Sequence, residues 1–72
     1  MIPSNIIEKG WPYRVKISAR GISGEYDVEV INDFGRAIYT EWAIVFDIAK
    51  KKAITMVHEI ENCGGSATIK WY

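Results

Sequence analysis

Only a handful of residues in this chain have the types and spacings that chemistry needs. Asp33-Phe34-Gly35 is the tripeptide with which protein kinases hold magnesium, and Asp27 and Glu41 could form a carboxylate pair. His58 and Cys63 are the only histidine and the only cysteine. A magnesium role for Asp33 needs a glycine-rich nucleotide loop, a strand lysine and a catalytic loop spread over a far longer chain. Asn32-Asp33-Phe34-Gly35 reads instead as a hairpin turn, with Asn and Asp in its early positions and Gly in the left-handed one. Two adjacent carboxylates could bind a cation or share a proton, but on a strand they are usually solvated or met by neighbouring bases. A structural zinc site takes about four nitrogen or sulfur ligands, and His58 and Cys63 supply two at most. His58 falls on the polar side of a helical pattern, and Cys63 has no paired histidine motif. The expectation is a protein with no catalytic residues, no metal and no cofactor, hence not an enzyme.

The elements that carry these residues follow from hydrophobic periodicity. Tyr13 to Ala19 alternates strictly, with Tyr13, Val15, Ile17 and Ala19 on one face and Arg14, Lys16 and Ser18 on the other. After the connection Arg20-Gly-Ile-Ser-Gly24, residues 25–31 alternate again, and the Asn32–Gly35 turn leads into a third strand over 36–43. Pairing Asn32 with Arg36 sets Val30 opposite Ile38, Val28 opposite Thr40 and Tyr26 opposite Trp42, which collects the large residues on one side. The other side then carries Glu29 with Tyr39 and Asp27 with Glu41. From Phe46 the period changes. Phe46, Ala49, Ala53, Met56, Val57 and Ile60 form one stripe of a helix over 46–61, with Asp47 in its first turn and Asn62-Cys63-Gly64-Gly65 as its stop. Residues 66–72 alternate as a fourth strand, and residues 1–12 form an arm containing Ile2, Ile6, Ile7 and Trp11. The result is a single α+β domain over residues 1–72, of order βββαβ, with one four-stranded mixed sheet covered on one face by one helix. A right-handed crossover places the last strand parallel to the first and gives the sheet order 4-1-2-3.

The totals bound the function. Seventy-two residues hold one small core, near the size at which disulfides, metals or partner subunits often add stability. The first two are not on offer here, which favours association with another chain, a homodimer included. Nine basic and nine acidic residues cancel, so no global field draws the protein to nucleic acid or anionic lipid. The longest apolar runs are far too short to span a bilayer, there is no charged-then-apolar leader pattern, and the single Cys63 fits a reducing compartment. A soluble cytoplasmic protein with no membrane partner is the expectation.

The segments Gly24-Glu25-Tyr26-Asp27-Val28, Asp33-Phe34-Gly35 and Asp47-Ile48-Ala49-Lys50-Lys51-Lys52-Ala53 resemble the amino-terminal domain of HicB-type antitoxins, a partial ribonuclease H fold of the same element order. The resemblance spans roughly residues 13–60, without the proline that precedes the turn aspartate in that family, and it implies a binding role rather than catalysis. Pro12-Tyr13, Tyr26-Asp27-Val28-Glu29-Val30 and Ala49-Lys50 also resemble double-stranded-RNA-binding domains. That family grips phosphate with a lysine pair at its helix start, where this chain has Phe46 and Asp47.

These readings converge on a small module that binds another protein, an inhibitor or antitoxin-like modulator. Stand-alone modules of this kind look like those of phages and mobile elements, anti-CRISPR proteins among them, and such an origin would place it in a host cytoplasm. Its expected contact residues are Arg14, Lys16 and Lys70 on one side of the open sheet face, and Asp27, Glu29 and Glu41 on the other. Tyr39 and Tyr72 lie among these charges, and Ile48 and Ile54 lie on outer parts of the helix. The competing expectation is a nucleic-acid-binding module that uses Arg14, Lys16, Arg20 and Lys70, with Tyr39 or Tyr72 stacking on bases.

Overall fold

The computed structural model describes residues 2–22 and 24–71. Four strands, β1 (Pro12–Ala19), β2 (Tyr26–Ile31), β3 (Ala37–Ala43) and β4 (Ser66–Trp71), form one mixed sheet in the order β3-β2-β1-β4. β1 runs antiparallel to β2 and parallel to β4, so the connection through the helix α1 (Phe46–Asn62) brings the last strand beside and parallel to the first, as expected from the sequence. The sheet order and the single covering helix agree with the α+β reading.

The core follows from two periodicities. Tyr13, Val15 and Ile17 from β1 and Val28 and Val30 from β2 point to the helix, whose Ala49, Ala53, Met56 and Ile60 face them; all are buried. The two alanines sit four apart, one above the other on the helix surface, and let it lie close over the sheet. At its carboxyl end the backbone closes through Gly65 N–H to the Ile60 carbonyl at 3.0 Å and Gly64 N–H to the Glu61 carbonyl at 3.0 Å. Gly64 takes the left-handed φ of +92° that this closure requires. Gly65 is small for a different reason. A Cβ there would stand 3.0 Å from Ile60 Cγ2, 3.2 Å from Ile7 Cγ2 and 3.3 Å from Tyr13 Cδ2.

The amino-terminal arm belongs to this core. Ser4–Ile6 makes one 3-10 turn, and Ile2 and Ile7 on either side of it are buried. Hydrogen bonds pin the arm along its length: Ile2 N–H donates to Glu59 Oε1 at 3.3 Å, Glu8 N–H to the Tyr13 hydroxyl at 2.7 Å, and Gly10 N–H to the Gly64 carbonyl at 2.8 Å. Three isoleucines that could have served a partner therefore cover the chain's own helix and sheet, with Ile6 partly buried beside the other two.

The hairpin between β2 and β3 departs from the expected register. The turn itself is as read: Asn32 N–H donates to the Arg36 carbonyl at 2.9 Å, and Asn32 Oδ1 accepts from Phe34 N–H at 3.0 Å and Arg36 N–H at 2.9 Å. Gly35 takes φ +81°. Beyond the turn a bulge intervenes. Ile31 pairs with Ala37 but Val30 pairs with Tyr39, so Ile38 is an extra residue and every later pair shifts by one. Val28 faces Glu41 and Tyr26 faces Ala43, rather than Thr40 and Trp42. The bulge sets both Ile38 and Tyr39 against the core and buries Ala43, whereas simple alternation could bring in only one of the two sets.

Two substitutions separate the roles of glycine here. Gly65→Ala should cost about 1–3 kcal/mol because it overpacks the junction of arm, helix and β1. Gly35→Ala, which has open space around it, should cost about 1–2 kcal/mol from its left-handed backbone alone. Urea unfolding reads both as a lower midpoint with unchanged slope. If Gly65→Ala were neutral, the close packing of the arm would be refuted.

Candidate functional site

The bulge redistributes the residues expected on the open face. Tyr39 and Glu41 lie on the helix side, where the Tyr39 hydroxyl donates to Glu41 Oε2 at 2.7 Å and Lys52 Nζ donates to Glu41 Oε1 at 3.1 Å. Glu41 is therefore not a neighbour of Asp27: the two occupy opposite faces of the sheet, and the carboxylate pair considered from the sequence does not form. Tyr39 is likewise not available to stack on a ligand from the open face. Around this network lies a cleft of about 200 Å³ between α1 and the β3 edge, lined by Ile48, Met56 and Glu59 as well as Glu41 and Lys52.

The electrostatics of the network have a definite sign. The hydrogen bond to Glu41, then burial, push the Tyr39 phenol up from 10.0 to about 12. Burial pushes the Glu41 carboxyl up, but hydrogen bonds from Tyr39 and Lys52 pull it the other way, and its net position is below the ordinary 4.5. The folded state thus favours a protonated phenol beside an ionised carboxylate.

The open face keeps the remaining charges. Lys70, Lys16 and Glu29 stand in one cross-strand row, with Lys16 directly beside Lys70 and opposite Glu29. Arg14 lies one row away, beside Thr68 and opposite Ile31. Arg20 sits 3.3 Å from Glu25 and 3.5 Å from Asp27, and Trp42 Nε1 donates to Glu25 Oε2 at 2.7 Å. The acidic side of the face is thereby tied into a corner of ion pairs with an indole over it. Such half-exposed pairs contribute little stability, about 0–1 kcal/mol each.

Two further features were missed by alternation alone. At the end of the molecule where α1 begins, Trp42, Ile44, Val45, Phe46 and Trp71 are each about 40–56% exposed. Phe46 bridges Tyr26 and Trp71, with ring centroids 5.4 and 5.7 Å away. At the opposite end Trp11 meets Phe34, in the tip of the hairpin, edge to face at 5.6 Å. None of these pairings is visible in sequence, because the partners are 20 to 25 residues apart and lie on different elements. The excess of aromatics in turns and at strand ends was the available signal.

The other expected positions are dispersed. Ile48 opens onto the Glu41 cleft, while Ile54, six residues on and so about 240° around the helix, lies away from it; both are exposed. Tyr72 lies outside the described residues. His58 is exposed and Cys63 half-buried at the helix stop. Among the described residues, no three His, Cys, Asp or Glu side chains converge as metal ligands, and no helix is long and apolar enough to cross a membrane.

The fold and surfaces define a class, a small α+β sheet-and-helix domain with one open sheet face. Comparison with protein-family models, curated proteins and solved structures finds no significant match to this chain.

The Tyr39–Glu41 bond predicts a pH signature. Its contribution is fully present below pH 10 and is lost as pH rises through about 12, because the raised phenol pKa favours the protonated folded form. The lowered Glu41 pKa gives the mirror effect in acid, with stability present above 4.5 and lost as pH falls through the folded value. Tyr39→Phe should cost about 0.5–1.5 kcal/mol at neutral pH. It should also flatten the difference between wild type and variant above pH 10, followed by thermal melting across the pH range. A wild-type and variant difference that stays constant to pH 12 would contradict the assignment.

Proposed function

We propose that this protein acts by binding another protein, as an inhibitor or antitoxin-like modulator, and that the apolar end beside the start of α1 is the surface it uses. The observation that carries this reading is the ring contact of Phe46 with Trp71, both roughly half exposed, with Ile44 and Val45 exposed in the segment leading into α1 and Trp42 exposed on the other face of the sheet at the same end. Contiguous apolar surface beyond roughly a few hundred Å² is a mark of contact sites on small proteins. The aromatics are also held in place. Phe46 is braced between Tyr26 and Trp71, and Trp42 is fixed by its bond to Glu25. Aromatic side chains ordered before binding lose less entropy on contact, which is how indoles and phenyl rings become the anchors of interfaces. The partner that suits this end presents an apolar groove, since the cluster projects side chains rather than enclosing a cavity.

Light scattering on the pure protein should give a monomer, and capture from a nuclease-treated lysate should retain a protein partner. Phe46→Ala with Trp71→Ala should weaken that capture by about 2 kcal/mol or more, whereas Ile54→Ala should leave it unchanged. A melt of each variant separates lost binding from lost folding. Capture that ignores the double substitution, or that disappears with nuclease, overturns the reading. A stable dimer that the double substitution dissolves reassigns the end to a second copy of the chain.

A further inference from the structure

The two edges of the sheet are not alike. β3 closes one side and β4 the other, and on an edge strand alternate residues turn their backbone N–H and C=O groups away from the sheet. The β3 edge carries the bulge at Ile38, which breaks a regular ladder, and its rim holds the Tyr39–Glu41–Lys52 network. β4 has neither device. Its pairing with β1 runs from Ser66 to Trp71 without a shift, and among the described residues β1 is its only neighbouring strand.

The charges across the open face show which strand suits the outer side of β4. Glu29, Lys16 and Lys70 follow one another on β2, β1 and β4 in a single cross-strand row. Lys16 has Glu29 opposite it and an interaction of its own. Lys70 is exposed, has the like charge of Lys16 beside it, and among the described residues has no carboxylate within salt-bridge distance. Asp33 borders the hollow of Arg14 and Thr68 but not the one that Lys70 lines, so its charge answers the neighbouring row. Like charges side by side on a sheet cost stability, and an acid on the next strand out offsets that cost.

Toward α1 the requirement is apolar. Ala67 and Ile69 are half-buried and Trp71 is exposed. Val57, nine residues on from Ile48 and so about 180° around the helix, lies on the flank turned from the β3 edge and is only partly buried. β2 already shows the matching pattern on the far side of β1, with Asp27 and Glu29 toward the open face and Val28 and Val30 in the core. A second copy of the chain has no such strand to offer. Its β4 has no acid, the one acid of its β3 is Glu41, held on the helix side, and its β2 is paired on both sides.

We infer that the outer edge of β4 docks an extended acidic segment of a partner protein, added as a fifth strand with carboxylates toward Lys70 and apolar side chains toward Ile69 and Trp71. The inference rests on the protein-binding reading above and specifies the chemistry of the partner's segment. Main-chain hydrogen bonds supply the affinity, and the charge at Lys70 supplies the selection.

Anisotropy titrations of the full chain at pH 7 and 50 mM salt test this with a labelled peptide that alternates glutamate and valine, beside a lysine–valine peptide and polyglutamate of equal length. The glutamate–valine peptide should bind about tenfold more tightly than either of the others. Lys70→Glu should reverse the preference between the glutamate and lysine peptides, a gain that an unfolded variant cannot show. Methylating the amide of every second peptide residue should abolish binding in the phase that faces β4 and spare it in the other phase. The inference is overturned if the glutamate–valine peptide does not bind, if polyglutamate binds as tightly, if the two methylation phases behave alike, or if Lys70→Glu keeps the wild-type order. A dimer of the pure chain that shuts the peptide out gives the edge to a second copy and overturns it too. Lysate capture that ignores Lys70→Glu but is lost with Phe46→Ala and Trp71→Ala overturns strand addition and leaves the apolar end standing, so the two readings fail separately.

Discussion

Because Ile38 is inserted between the β3 residues that pair with Ile31 and Val30, two neighbouring side chains, Ile38 and Tyr39, both turn toward the core. The remainder of β3 inherits its orientation from that step. Glu41 comes to the helix side, where Lys52 and Tyr39 can satisfy it, and Ala43 slips into the core where a larger side chain would meet Tyr26. Trp42 is sent to the other face. The single inserted residue thus decides which groups the helix must accommodate and which remain on the surface.

This division has an energetic logic. A sheet covered on one face must place every large apolar residue of β3 either under the helix or in water, and α1 is narrow over β3, the strand it contacts least. An isoleucine and a tyrosine fit under that margin, with the phenol reaching a carboxylate at its rim. An indole does not, and at the end of the sheet it lies over the Glu25 carboxylate instead. A half-buried carboxylate beneath a helix is tolerable because donors reach it, the Tyr39 hydroxyl and the Lys52 ammonium among them.

The elements that depend on local periodicity were legible in the sequence. β1 alternates without a fault, the α1 stripe of Ala49, Ala53, Met56 and Ile60 has one period, and the Asn32–Gly35 turn has its own chemistry, so element order and sheet order followed. The register of β3 was not legible. Ala37-Ile-Tyr-Thr-Glu-Trp-Ala43 offers two apolar alternations of similar quality, and a bulge chooses parts of both, a choice made by packing against α1 rather than by β3 itself. For the same reason the placing of Tyr39 and Glu41 on the open face failed, while that of Arg14, Lys16, Asp27, Glu29 and Lys70, on strands with simple alternation, agrees with the pairing observed. The arm itself was legible, but its docking on α1 and the aromatic contacts were not, because they join residues remote in sequence.

The burial of Ile2 has a consequence for how the molecule comes into being. Its amide is bonded to Glu59, 57 residues away, and its side chain is enclosed by elements made much later. β1, for its part, lies between β2 and β4, so half of its pairing must wait for the last strand. Contacts of such span close slowly because loop entropy is lost before they form. A ribosome would release most of this chain before its core could assemble, leaving the β1–β2 and β2–β3 hairpins and the nascent helix as the pieces able to form early. Folding is then a single late event, since neither the arm nor β1 has its full set of contacts until α1 and β4 have been made.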